Sequence, residues 1–145
     1  MSLELRQRLY AELDGIVLID PHTHINPHSP ASETPADILG YHYYTELAHS
    51  AGMPKAEIEE PGLDPREKFG RLIANLGPLQ NTVQYSWFLE IARTFFDFTD
   101  EMVTSDNWEP LYDRAVKKME EPNWSREVLR LSNLESVFLT NDFDD

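Results

Sequence analysis

Two histidines separated by a single residue stand in the stretch Asp20-Pro21-His22-Thr23-His24. On an extended backbone, side chains two residues apart point to the same side, so the two imidazoles can address one point in space. Neutral imidazole is a good ligand for zinc and similar divalent ions, and ligands held on a rigid element need little reorganisation to bind. His22 and His24 are therefore the candidate metal ligands, with zinc the first ion to consider. They do not complete a site: a catalytic zinc takes three protein ligands and keeps one position open, so further ligands must come from elsewhere. The competing reading of a His-x-His pair is local packing or capping. The apolar run just upstream and the aspartate two residues before His22 favour the metal.

The elements that must hold this pair follow from the hydrophobic pattern. Residues Leu3 to Leu13 place Leu5, Leu9, Tyr10 and Leu13 near helical spacing, which predicts a short amphipathic helix ending at Asp14-Gly15. The uninterrupted run Ile16-Val17-Leu18-Ile19 predicts a strand over 16–20, buried on both faces as in a parallel sheet. Pro21, Pro27 and Pro30 then forbid a regular helix and mark a loop at the strand end. Helical patterns follow from Pro35 to Ala51, Arg66 to Leu76, Val83 to Phe98, Trp108 to Met119 and Asn123 to Leu131, with an acidic, exposed linker expected over Lys55 to Pro65. Ser136 to Thr140 reads as a second buried strand, 136–140.

The order is strand, helical excursion over about 35–131, strand. We read the chain as a single domain, 1–145, of α/β class: predominantly helical with two short parallel-type strands, forming the N-terminal part of a (β/α)8 barrel with a large insertion after its first strand. A complete barrel of this kind needs about 250 residues. The 145-residue chain is accordingly expected to lack later strands and to be inactive by itself.

Composition narrows the partners. Twelve basic against 26 acidic side chains give a formal charge of −14, which argues against nucleic acid and anionic membrane surfaces. No apolar run is long enough for a membrane span, and Glu4, Arg6 and Arg8 make the start unlike a signal peptide, so a cytoplasmic protein is expected. Cysteine is absent, which removes disulfides and thiolate chemistry and leaves His and carboxylate as metal ligands. The aromatic band Tyr85, Trp87, Phe88, Phe95, Phe96 and Phe98 is expected in the core rather than on a stacking platform. The acidic end Asn141 to Asp145 lacks the spacing of a calcium loop. His28 and His49 are expected in solvent.

The His-x-His motif after a first strand resembles the amidohydrolase superfamily, and other segments resemble one branch of it, the uronate isomerases. Tyr41-His42-Tyr43-Tyr44-Thr45-Glu46 is similar to that family's Asp-His-Tyr-x-Trp-Arg helix, Trp87-Phe88-Leu89-Glu90 to its Trp-x-x-Leu-Glu-Leu helix, and Thr140-Asn141-Asp142 to its Thr-Thr-Asp-Asp segment. The likeness runs from about Asp20 to Asp145. It implies a metal-dependent barrel enzyme that interconverts aldose and ketose forms of a sugar acid, D-glucuronate with D-fructuronate or D-galacturonate with D-tagaturonate. It further implies a divalent metal, zinc foremost, on His22 and His24, and His42 and Tyr43 as catalytic and substrate-binding residues, with Tyr43 placed to assist proton transfer or to bond a substrate hydroxyl. Asp142 joins them as a substrate-binding candidate at the second strand's end, a helix cap or loop carboxylate being an equal reading.

The sequence departs from the family pattern at Thr45-Glu46, where Trp-Arg is usual, and at Tyr41 in place of Asp. An arginine would hold a carboxylate by a bidentate pair and a glutamate would repel it, which keeps a metal-dependent hydrolase or decarboxylase in play beside the isomerase. For His42 and Tyr43 the plain alternative is an ordinary helix surface, and for the whole chain a noncatalytic helical module. Unpaired strand edges would favour a homo-oligomer.

Overall fold

The computed structural model describes residues 2–26 and 28–140. In chain order the elements are α1 (Leu3–Asp14), β1 (Leu18–Thr23), α2 (Pro35–Leu39), α3 (His42–Ser50), α4 (Pro65–Ala74), α5 (Val83–Phe96), α6 (Trp108–Met119), α7 (Trp124–Leu131) and β2 (Leu134–Leu139). Single 3₁₀ turns stand at Lys55–Glu57 and Gly77–Leu79. The chain is thus mostly helical with two short parallel strands. It divides into two compact units, one made of Met1–Ala31 with Ser125–Asp145 and the other of Ser32–Trp124. No helix among the described residues is long and apolar enough to cross a membrane.

In the first unit, α1 starts at Ser2, whose side chain accepts a hydrogen bond from the Leu5 amide at 3.2 Å. β1 and β2 form a two-stranded parallel ladder, with Leu18 opposite Leu134, Ile19 opposite Ser136, Asp20 opposite Val137 and Thr23 opposite Leu139. The strand expected over 16–20 runs instead over Leu18–Thr23 and so carries His22 within it. The second, expected over 136–140, is Leu134–Leu139. Asn133 sets where the pairing begins. It adopts φ 52°, a left-handed conformation that asparagine tolerates; its carbonyl accepts from the Leu18 amide at 2.8 Å, and its side-chain amide donates to the Ile16 carbonyl at 2.8 Å. Pro21 fits inside β1 because the register is irregular between Asp20 and Thr23, so a missing amide donor costs no ladder bond there.

Burial on both faces is the expectation that the structure overturns. Leu18 and Ile19 are 47% and 57% exposed, and Phe138 of β2 is 58% exposed. Among the described residues the sheet has two strands and no further neighbour, and α1, expected to be amphipathic, buries no residue.

The second unit holds the core. Pro35 opens α2 while the Thr34 amide donates to the Asp37 carboxylate at 2.8 Å; Asp64 caps α4 by accepting from the amides of Arg66 and Glu67; Thr82 caps α5 by accepting from Tyr85. The helix expected over Pro35 to Ala51 is two helices. The chain turns at Gly40, a poor helix former, and Tyr41 is extended at ψ 142° before α3 begins. Gly40 is also a close approach: a Cβ there would meet the Ala36 carbonyl oxygen at 2.5 Å. The segment expected as an exposed linker over Lys55 to Pro65 is anchored at its middle, where Ile58 is buried and the Arg71 guanidinium donates to the Glu57 carbonyl at 2.6 Å.

Phe69, Leu72 and Leu111 are among the largest fully buried side chains. The Phe69 ring meets those of Phe88, Trp108 and Tyr112 at centroid distances of 6.1, 5.9 and 5.3 Å, which ties α4 to α5 and α6. Of the aromatic band, Tyr85, Phe88, Phe96 and Phe98 are buried, whereas Trp87 is half exposed on the outer side of α5. Replacing Phe69 by Ala leaves a cavity between three helices and is expected to lower the unfolding free energy by about 3–5 kcal/mol. A urea titration followed by far-ultraviolet circular dichroism measures it, and an unchanged midpoint would remove Phe69 from the centre of this core.

Candidate functional site

The end of β1 is held by short-range bonds that its own residue types supply. Asp20 Oδ1 accepts from the His22 amide at 3.1 Å, a short-range bond that spans Pro21. Beyond the ladder proper, the Thr140 amide donates to the Thr23 carbonyl at 3.0 Å, so pairing continues one step past β2 and pins the chain between the two histidines. His22 and His24 both stay exposed.

Their rings converge edge to face, with centroids 5.0 Å apart and an interplanar angle of 81°. The two Nε2 atoms are 3.2 Å apart. Two imidazole nitrogens bound to one tetrahedral zinc at about 2.0–2.1 Å would be separated by about 3.3 Å, so the pair as it stands fits a shared divalent ion with almost no movement. Without an ion, one Nε2–H donates to the other Nε2. Thr140 Oγ1 lies 3.2 Å from His24 Nδ1 and 3.4 Å from His24 Nε2, and donates to the Thr23 carbonyl at 3.1 Å. Among the described residues no third histidine or carboxylate gathers with the pair into a larger cluster. Asp142, the substrate-binding candidate beyond β2, lies outside the described residues.

His42 and Tyr43 belong to the second unit, at the first turn of α3. Three consecutive rings pack against one another there. His42 is 4.3 Å from Tyr41 and 4.3 Å from Tyr43 between centroids, and Tyr41 meets Tyr43 edge-on at 5.2 Å. Tyr41 and Tyr43 are about half exposed, and His42 and Glu46 are exposed, so the cluster presents an imidazole and two phenols to solvent. Tyr44 points the other way, buried against Phe88, and burial pushes its phenol up to about 12. This alternation fixes α3: one face is anchored by Tyr44 and Ala48, which leaves His42 and Tyr43 free to meet a ligand.

His28 is exposed, its amide bonded to Asn26 Oδ1 at 2.9 Å. His49, expected in solvent, is half-buried and structural: its Nδ1–H donates to the Met53 carbonyl at 2.9 Å and closes the turn after α3. Thr140 was not singled out from the sequence. The signal was present all the same, because parallel pairing of a strand ending near Thr23 with one ending near Leu139 sets Thr140 beside His24.

The chain is similar along nearly its whole length to proteins named uronate isomerase. It is 29% identical to that of Rhizobium meliloti over 94% of the chain, 24% to that of Corynebacterium efficiens over 96%, and 25% to that of Clostridium acetobutylicum over 98%. It spans about a third of the length of these relatives, 32% in each. No protein-family profile matches it.

The buried phenol of Tyr44 makes a pH prediction. Its value is raised from 10.0 to about 12 in the folded chain, so the unfolded chain ionises first as pH rises. The stabilisation is complete below pH 10.0 and is lost as pH climbs through about 12. Urea midpoints measured across that interval should therefore fall, and fall less in Tyr44→Phe than in the parent; equal slopes in the two proteins would place Tyr44 in solvent.

Proposed function

We propose that this chain is part of a uronate isomerase-type enzyme that interconverts the aldose and ketose forms of a sugar acid, with D-glucuronate or D-galacturonate as substrate and D-fructuronate or D-tagaturonate as product. The observation that carries the reading is the similarity to uronate isomerases over 94–98% of the chain. The convergence of His22 and His24 at the end of a strand that leads a parallel pair supports it.

Under this reading His22 and His24 hold a divalent metal, zinc foremost, which when bound supplies an electrophile for oxygens that gather negative charge as a proton moves between C2 and C1. The chain's own contribution is positional. β1 and the Thr23–Thr140 bond keep the two imidazoles aimed at one point. The first turn of α3 offers His42 and Tyr43 to hydrogen-bond sugar hydroxyls, and either can hold or pass the mobile proton if it lies within about 3 Å of it. Asp142 retains its assignment as a substrate-binding carboxylate.

A second reading, a metal-dependent hydrolase or decarboxylase on the same scaffold, is favoured by Glu46. It stands exposed on α3 where the resembling family carries an arginine, and it repels a substrate carboxylate rather than holding it. A panel of uronates with simple esters and lactones, assayed with added zinc on the protein in which the chain occurs, separates the two. Turnover of a uronate supports isomerisation; turnover of ester or lactone alone moves the assignment to the hydrolase. The 145-residue polypeptide assayed by itself is expected to give no turnover of glucuronate.

His22→Ala and His24→Ala should each lower bound zinc, measured by elemental analysis after dialysis, and reduce turnover by at least about 100-fold, as loss of a metal ligand requires more than loss of its outer partner. Full metal content in both variants would reject the pair as ligands.

A further inference from the structure

We propose that Lys68 is a carboxylate-binding residue: its ammonium, seated against Gly40 just ahead of His42 and Tyr43, takes the acid group of a sugar acid whose hydroxyls meet the first turn of α3. The inference rests on the isomerase-type reading and adds to it the group that holds the charged end of the substrate.

A chain of net charge −14 that takes an anionic substrate needs a cation to meet it, and on α3 itself Glu46 offers the opposite charge. Most cations of the second unit are engaged elsewhere. Arg66, Arg71, Arg93 and Lys118 each pair with a carboxylate, and Arg114 donates to the Phe96 carbonyl. Lys55 and Lys117 are exposed. Lys68 differs from all of these: it is half-buried, and among the described residues it makes no hydrogen bond or ion pair. Two acids that could have paired with it are turned to backbone amides instead. Asp64, one turn earlier in α4, accepts from Arg66 and Glu67, and Asp37 of α2, which packs on α4, accepts from Thr34. A carboxylate arriving from outside therefore has no internal pair to break, and partial burial of the ammonium reduces the solvent screening between the two charges.

The seat of the ammonium depends on a missing side chain. A Cβ on Gly40 would meet Lys68 Nζ at 3.0 Å and Lys68 Cε at 3.2 Å, so the end of the lysine lies where any other residue would place its own first carbon. Gly40 closes α2, and Tyr41 opens α3 directly after it. His42 follows two residues on, and at 3.8 Å per step its Cα is at most about 7.6 Å from that of Gly40. In an open-chain six-carbon sugar acid, five bonds of about 1.5 Å carry the chain about 6 Å from its carboxylate carbon to C1. The two lengths match. A uronate with its carboxylate on Lys68 can extend its hydroxyls along the first turn of α3, where His42 and Tyr43 are exposed.

The test uses the 145-residue chain and two variants, Lys68→Met, which keeps most of the aliphatic stem and removes the charge, and Lys68→Arg, which keeps the charge should the first variant fail to fold. D-Glucuronate and D-glucose, alike except for the carboxylate, are titrated into the ¹⁵N-labelled proteins, and the Gly40 amide signal is followed. Glucuronate should shift that signal in the parent and glucose should leave it in place. Lys68→Met should bind glucuronate about 10-fold more weakly, the loss of one hydrogen bond to a charged group, and Lys68→Arg should bind it more tightly than Lys68→Met. In the protein in which the chain occurs, Lys68→Met should raise KM for a uronate by about 10-fold and lower kcat by less. A Gly40 signal in the parent that ignores glucuronate, or glucuronate affinity in Lys68→Met equal to the parent's, overturns the proposal. If that protein turns over no uronate, the isomerase reading fails, and the glucuronate titration still decides whether Lys68 takes a carboxylate.

Discussion

Parallel strands cannot be joined by a tight turn, and this constraint shapes the whole chain. β1 and β2 run the same way, so the polypeptide that leaves Thr23 must travel back the length of a strand before Leu134 can pair with Leu18. In a minimal crossover one helix does this. Here the return path contains a unit with its own core, Ser32–Trp124, closed on Phe69, Leu72 and Leu111. An excursion that long is tolerable because closure entropy grows only with the logarithm of loop length, and because a folded excursion contributes its own burial. Both histidines of the candidate metal pair sit at the exit of β1, and Thr140 sits at the exit of β2. The ends that parallel pairing brings together are thus the ends that carry the candidate residues, the place where α/β sheets generally put functional groups.

Burial is distributed unequally between the units, and the inequality has a chemical reading. Leu3, Leu9, Tyr10 and Leu13 of α1, with Ile16, Val17, Leu18 and Ile19 leading into β1, are all exposed by roughly half or more. Such a density of uncovered aliphatic surface is far from the ordinary scatter of single exposed leucines. The run Ile16 to Ile19 has the composition of a strand enclosed on both faces, and the described residues do not enclose it. Thr140 and Asp20 therefore matter more than their size suggests, since the bonds they make at the end of β1 stand where packing does little.

Much of this was legible in the sequence. The 3.6-residue period marked Trp108–Met119, where Leu111, Tyr112, Ala115 and Met119 line the buried face, and the proline and glycine stops bounded the helices around it. His-x-His on an extended segment led to convergent rings because strand geometry leaves them little choice. Two features were beyond such reading for physical reasons. The strand limits moved because the ladder begins where Asn133 turns left-handed, and its cost is repaid only by bonds to Ile16 and Leu18 more than a hundred residues away. His49 looked like a surface residue until its turn placed the Met53 carbonyl against Nδ1.

The charge of the chain bears on the reading of the histidine pair. A net charge of −14 repels a sugar acid at long range and draws divalent cations in. Exposed Glu46 adds to that repulsion on the helix that offers His42 and Tyr43. Under the proposed isomerase reading, binding of an anionic substrate requires local positive charge, and the identity of the proposed metal ligands governs how much of it survives. Carboxylate ligands would cancel a bound ion's charge one for one. Two neutral imidazoles cancel none, so a divalent ion held by His22 and His24 keeps its full charge to set against a substrate carboxylate or a developing alkoxide.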